Sequence, residues 1–426
     1  MSNGEVENEL PEMTESEFSV AVRKEPAPEA IVALPPETVA PLDIITPPKI
    51  APPPVSRKRK WLGKDDLTLI SLVLVVKTLL FVFGASAYQV YQNKMLPTTY
   101  SRLEIWNQWD GIHYVGIAAK GYEATGEWYF RLVFYPLYPW LARGFAYLTR
   151  DYFLGALVVS TLASFGVALV FNRLLRLDES AKMARQAVVF LFIFPTSYFL
   201  HIGYTESLFL LLVLGSFYAA RKERWWLAVL LGALAAFTRV NGLLLGPALL
   251  AEAFLQYRVK RRWDWNWAAI PFIGTGLAGY LLLNYKVAGN ALRFQEIQRE
   301  KWTKFLAPPW RGFKQVYVGL SWRPPWEKHM VCAEEFIFIA LGLLVVVWCW
   351  RNTRLSYSVW TTLNVLLFIS TSFIQSTPRY TLILFPMFIM FARAAAQPLW
   401  QTVIPVWSLL FLSFFVSLFV QGKWAF

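Results

Sequence analysis

From residue 67 onward the chain repeats one pattern: an apolar stretch of helical length, then a short interval that holds basic residues or a turn. The first stretch, 67–90, is long enough to cross a bilayer and carries a single charge, Lys77. Backbone in hydrocarbon must satisfy its own hydrogen bonds, so such a repeat confines the chain to an all-α polytopic membrane protein. Composition agrees, because 56% hydrophobic and 17% aromatic residues, with 20 Trp and 19 Tyr, are too apolar for a soluble enzyme and suit rings at headgroup level. The net charge of +13 would suggest nucleic acid only if a soluble basic face carried it. None is available, so no nucleic-acid partner is expected, and the charge reads as cytoplasmic loop charge and contact with anionic lipid or phosphate. Three histidines and two cysteines form no Cys/His cluster, which excludes a zinc or iron site of the usual kind. Cys332 and Cys349 begin and end one apolar run, too far apart along a helix for a disulfide.

Loop charges set the topology. Residues 1–56 hold ten acidic and three basic side chains among many prolines, so 1–60 reads as a disordered cytoplasmic tail ending in the cluster Arg57, Lys58, Arg59 and Lys60. The multi-span domain is 61–426, and no cleavable signal peptide is expected because the first apolar span starts only near Leu67. Lys77 inside that span needs to snorkel or find a partner. The first outer loop, 91–148, ends in a segment, 132–148, that is short and holds Pro136, Pro139 and Arg143. It reads as a re-entrant or interfacial helix. Spans then follow near 152–171, 187–200, 205–220, 225–237, 243–255 and 267–283, placing three successive basic clusters in the cytoplasm. A second outer loop occupies 284–331, and spans near 336–350, 357–374, 380–394 and 403–420 bring the total to about eleven.

That topology puts the polar interruptions on one side. Asp110 and His113, the turn with Tyr204, Thr205 and Glu206, the turn with Arg239 and Asn241, and the turn with Arg379 and Tyr380 all fall on the outer face. Carboxylates and arginines collected there suit an anionic, hydroxyl-bearing substrate. Each also has a plainer reading. Asp110 can cap the helix 111–119 that Gly121 stops, with Trp109 and Tyr114 packed as a flanking staple. Thr205 and Glu206 suit a helix N-cap and first turn. Arg239 can snorkel, although its place in a tight reversal favours pairing with phosphate or carboxylate; Arg379 is read the same way. His113, three residues after Asp110, can orient it or touch a sugar. His201 reads as a packed interfacial residue, the aromatics at 134–139 as interface anchors, and 301–310 as an amphipathic surface segment.

The ordered runs Trp109-Asp110-Gly111-Ile112-His113, FYPLYP, FPTSY, GYTESLF, TRVNG and STPRYTLILFP resemble the GPI mannosyltransferase II (PIG-V type) family and its bacterial relatives, over roughly 105–390. The resemblance implies a GT-C-class glycosyltransferase that moves a sugar, typically mannose, from a polyprenyl-phosphate carrier to a lipid-linked or glycan acceptor on the extracytoplasmic or lumenal face. It implies Asp110 as the base; Gly111 stands where the family more often has Ser. Chemistry then assigns Glu206 as second candidate base, with Arg239 and Arg379 on the leaving phosphate and His113, Tyr204, Asn241 and Tyr380 as further substrate-binding residues. One base without a covalent intermediate would invert the anomeric centre. A monophosphate donor calls for no metal or other cofactor. Membrane lipids are the expected surroundings, an accessory subunit is left open, and the bacterial plasma membrane is expected ahead of the endoplasmic reticulum. The rival classes are a lipid or sugar flippase, and an acyl- or phosphotransferase using the same face.

Overall fold

Residues 63–425 are described by a computed structural model; the tail 1–60 and its basic cluster lie outside the described residues. The described chain is helical, with an isolated antiparallel bridge between Leu306 and Thr371 and no strand. Five helical segments are long and apolar enough to cross a membrane: Lys64–Gln92, Tyr152–Leu175, Trp265–Ala288, Pro325–Asn352 and Pro398–Phe419. Local chemistry fixes their ends. Asp151 accepts the Leu154 N–H at 2.7 Å to start the second, and a proline occupies the first helical turn of the last, where its missing N–H costs nothing.

The other six expected spans are shorter than a bilayer requires. They are Ala181–Ile193, Glu206–Arg221, Trp225–Ala236, Leu245–Lys260, Leu355–Ile369 and Pro386–Ala394. A helix of 13 residues, such as Ala181–Ile193, is about 20 Å long against about 30 Å of hydrocarbon. The sequence motifs are the cause. FPTSY passes into a 3-10 turn at Ser197–Leu200, TRVNG into one at Val240–Leu244, and STPRY into a short helix at Thr377–Tyr380. About eleven apolar stretches therefore become five full-length helices and six that stop at turns.

The Tyr152–Leu175 helix stands at the centre, packed against Lys64–Gln92, Leu137–Thr149, Ala181–Ile193 and Glu206–Arg221. One continuous apolar core runs through these elements. A smaller cluster, Val316, Cys332, Ile339, Ile369 and Ile374, ties the outer-loop helix Pro309–Trp322 to the membrane helices. Segment 132–148 resolves into a 3-10 turn, Tyr129–Val133, and the helix Leu137–Thr149, in which Pro139 sits harmlessly in the first turn. Arg143 has a structural partner: its Nε donates to the Ala118 carbonyl at 2.5 Å and its terminal nitrogen to Ile117 at 3.2 Å. A cation there closes the C-terminal end of the Asp110–Lys120 helix, the end where its dipole favours positive charge. Lys77 likewise finds partners, donating to Thr161 Oγ1 at 2.6 Å and to the His201 carbonyl at 2.9 Å. His201 itself is buried against Phe192. Both cysteines are free and buried.

Candidate active site

Asp110 begins the Asp110–Lys120 helix but does not cap it. Trp109 occupies the N-cap position with φ +51° and ψ −124°, a region that a bulky residue rarely adopts, and provides no side-chain cap. The staple expected between Trp109 and Tyr114 is also absent. Trp109 packs edge-on against Trp424 at 5.2 Å, whereas Tyr114 turns inward against Phe134, Tyr138 and Tyr204. This entry aims the Asp110 carboxylate across the fold, where its Oδ2 accepts from Arg379 at 2.7 Å. Gly111 follows because space is short: a Cβ there would stand 3.2 Å from the Tyr204 ring and 3.3 Å from Asn107 Oδ1.

Arg379 is the hub. Its Nε pairs with Glu206, while its guanidinium carbon lies 4.9 Å and 4.8 Å from the ring centres of Phe199 and Tyr204. Arg239 reaches the same Glu206 oxygen at 2.5 Å and donates to Thr205 Oγ1 at 3.1 Å. Thr205 is thus the N-cap by position yet makes no side-chain cap, and Glu206 spends its carboxylate on two arginines rather than on its own helix end. The plain reading holds by position, with Thr205 at the N-cap and Glu206 in the first turn, while the arginines take the side-chain oxygens with full charge. Four residues from four separate turns or helix starts meet in one chain of ion pairs: Asp110, Arg379, Glu206 and Arg239. Glu206 and Arg379 are buried, with 1% and 4% of their side chains exposed, while Asp110 keeps 37%. Its Oδ1 accepts no hydrogen bond from the described residues, so one carboxylate oxygen remains open.

The remaining sequence candidates fall around this centre. Tyr204 donates its hydroxyl to the Gln108 carbonyl at 2.8 Å, fixing the loop that presents Asp110. Tyr380 places its ring 5.5 Å from the Arg239 guanidinium. Asn241 is committed elsewhere, donating to Asn364 Oδ1 at 2.8 Å and joining two helices. His113 makes no hydrogen bond to Asp110; its ring lies among Trp128, Phe130 and Phe134. Burial lowers the His113 imidazole below its ordinary value, with Asp110 raising it and Arg131 lowering it in smaller measure. Among the described residues no three of His, Cys, Asp and Glu converge in a way that could hold a metal ion.

Two contributors were not singled out from the sequence. Glu335, fully buried, accepts the backbone N–H of Ser376 at 2.6 Å and of Thr377 at 2.8 Å, with Ser376 at φ +69°. It therefore fixes the turn from which Arg379 projects. The pair Glu334-Glu335 at the head of an apolar run was the available signal, since acids entering a membrane helix are costly unless used. Arg131, 5% exposed, stacks at 4.1 Å on Trp128 and fills the space that Gly116 leaves open. Gly242 is needed for a similar reason: a Cβ would fall 2.2 Å from the Ala236 nitrogen, so only glycine lets the Arg239 turn lie on the preceding helix.

Comparison with known proteins bears on the same segment. Residues 86–257, which carry Asp110, His113, Tyr204, Glu206, Arg239 and Asn241, match the model of the mannosyltransferase (PIG-V) family. GPI mannosyltransferase 2 of Yarrowia lipolytica is 26% identical over 288 residues, covering 65% of this chain and 75% of that protein. The chain is therefore similar to PIG-V mannosyltransferases over the segment that carries most of the ion-pair centre. GPI mannosyltransferase 2 of Schizosaccharomyces pombe is 29% identical over 142 residues, 32% of this chain and 30% of that protein. The matched family and both named relatives are mannosyltransferases, and the five long apolar helices of this chain suit a multi-pass membrane protein. Arg379, Tyr380 and Glu335 lie beyond the matched segment, and the fold brings them back to it.

Proposed function

We propose that this protein transfers mannose from a polyprenyl-phosphate carrier to a hydroxyl of a lipid-linked glycan, with inversion at the anomeric carbon and Asp110 as the base. The observation that carries the reading is the Asp110 carboxylate, held at one oxygen by Arg379 and, among the described residues, accepting nothing at the other. In the reaction the acceptor oxygen bonds to the anomeric carbon, its proton passes to Asp110, and the carbon–oxygen bond to phosphate breaks with its electron pair staying on the phosphate. Glu206 is the weaker candidate, because two arginines already occupy it and only 1% of its side chain is exposed. It serves better as the counter-charge that keeps Arg379 in place beside Asp110.

Both relatives carry GPI mannosyltransferase names, which supports a glycolipid acceptor of that class. Both are fungal, so they lend no support to the bacterial plasma membrane expected from sequence and favour the endoplasmic-reticulum alternative. Meeting of the polar turns at a single centre favours an enzyme over a flippase, whose charged groups would line a path. The test is transfer of radiolabelled mannose from polyprenyl-phosphate mannose to a lipid extract, in membranes holding wild type or Asp110→Asn at equal expression. Label should appear in a new lipid product only with wild type. Undiminished transfer by the variant would move the base to Glu206, and absence of transfer from wild type with every sugar tried would sink the glycosyltransfer reading.

A further inference from the structure

The four charges of the Asp110 centre cancel: two carboxylates face two guanidinium groups. A sugar-phosphate donor gains negative charge on its phosphate as it leaves, and a neutral centre offers no surplus cation for it. Surplus positive charge stands beside the centre, on the second outer loop. A cavity of about 500 Å³ lies between that loop and residues 372–375, lined among others by Trp302, Phe305, Arg311, Gln315, Arg323 and Gln375. Its size suits a hexose phosphate, and its lining combines aromatic faces, amides and guanidinium groups, the groups that recognise sugar rings, hydroxyls and phosphate.

Of the two arginines, Arg323 is partnered by Glu327 at 2.7 Å. Arg311 lies 4.8 Å over the Phe305 ring and has no carboxylate within ion-pair distance among the described residues. Lys304 makes no ion pair within 4.0 Å among the described residues and stands 5.5 Å over the ring of Phe373, which lines the cavity. It stands equally over Tyr380, at 5.6 Å, whose ring Arg239 approaches as well. A second link runs from Trp302 in the cavity wall to Phe130 at 5.8 Å, and from Phe130 to His113 at 5.1 Å, one helical turn from Asp110. Two chains of side-chain contacts therefore link the cavity wall to residues of the ion-pair centre.

We infer that this cavity seats the phosphate and sugar of a lipid-borne sugar-phosphate donor, with Arg311 and Lys304 as the cations that bind its phosphate. The inference rests on the sugar-transfer reading above and gives it a donor site. As the bond to the anomeric carbon breaks, the electron pair left on the phosphate raises its charge from one negative to two, and these two side chains face the added charge.

The experiment uses the full-length protein in nanodiscs, with binding of radiolabelled polyprenyl phosphate and transfer kinetics measured side by side. R311Q and K304Q should each weaken carrier binding about tenfold or more, the worth of a charge-assisted hydrogen bond. R311K should recover most of it, and Asp110→Asn should bind like wild type while failing to transfer. In kinetics the donor KM should rise and the acceptor KM stay unchanged. Wild-type binding by the double variant R311Q/K304Q, or a rise in the acceptor KM alone, would overturn the donor site. Arg311-dependent carrier binding by a wild type that transfers no sugar would instead leave the site standing and remove the transfer reading. Should R311Q fold poorly by size exclusion, K304Q alone carries the same test.

Discussion

The Glu206–Arg221 helix ends in buried ion clusters at both termini, and the two are built to opposite purposes. At its C-terminal end Arg221 grips Asp178 through two bonds of 2.6 and 2.8 Å. It also lies 3.7 Å from Glu252, which accepts from Arg354 at 2.8 and 3.2 Å and from Ser356 at 2.8 Å. Both oxygens of Glu252 are occupied, and the partners are helix ends and their flanks. At the N-terminal end Glu206 receives two arginines on one oxygen, and the chain of charges continues to Asp110, which is partly exposed and, among the described residues, has one oxygen without a donor. Its supports are turns at positive φ, Trp109 at +51° and Ser376 at +69°; beside the other cluster Glu223, just past the helix end, also has φ +60°. A cluster that saturates itself is a staple, while one that leaves a held but unsatisfied group on strained backbone is equipped for chemistry.

Substitution should separate the two. Asp110→Asn is expected to lower kcat by about 10²- to 10⁴-fold, the range for losing a general base, while the thermal midpoint of the purified protein barely moves. Equal loss of folded protein would place Asp110 with the staples. Glu252→Ala should do the reverse, costing about 1–3 kcal/mol through the lost bonds to Arg354 and Ser356 yet leaving transfer per folded molecule near wild type. Denaturation in detergent alongside the activity of the surviving fraction reads both quantities. Glu335→Gln tests an intermediate case, because it touches no substrate and acts through the Ser376 and Thr377 amides that set Arg379. About a tenfold loss in kcat with little change in either KM is expected, from misplacement of the guanidinium; restored activity in Glu335→Asp would strengthen the positioning role, and an unaltered kcat in Glu335→Gln would remove it.

The smallest effect concerns pH. Burial holds the His113 imidazole below its ordinary value, so the folded state prefers it neutral. Its contribution is complete above the unfolded value of about 6.5 and is lost as pH falls through the lower folded value. Stability of the wild type should therefore decline on acidification from neutrality, and His113→Gln should flatten that decline. Glu252→Ala, at a cluster without an imidazole, should leave the slope unchanged.

Much of the site could be read from residue types alone. Charged and turn-forming residues at the ends of apolar runs, Asp110, Glu206, Arg239 and Arg379, are too costly in a membrane protein to be incidental, and loop charge placed them on one face. Glu335 escaped notice because its task is to receive two backbone amides 41 and 42 residues away, a role with no local spacing. Asn241 was overread for the complementary reason: a turn residue beside an arginine looks like a ligand until Asn364 takes its amide.

Hydrophobic periodicity and loop charge by themselves determined an all-α membrane chain and the segments that interrupt it, because hydrocarbon tolerates only backbone that bonds to itself. Which interruptions meet was decided by the tertiary structure. The pairing of Asp110 with Arg379 spans 269 residues, and only the packing of helices around Tyr152–Leu175 brings those two turns within 2.7 Å. Sequence sets the cost of each buried charge, but the partner that offsets it is a matter of geometry, and geometry also left one oxygen of Asp110 without a donor among the described residues.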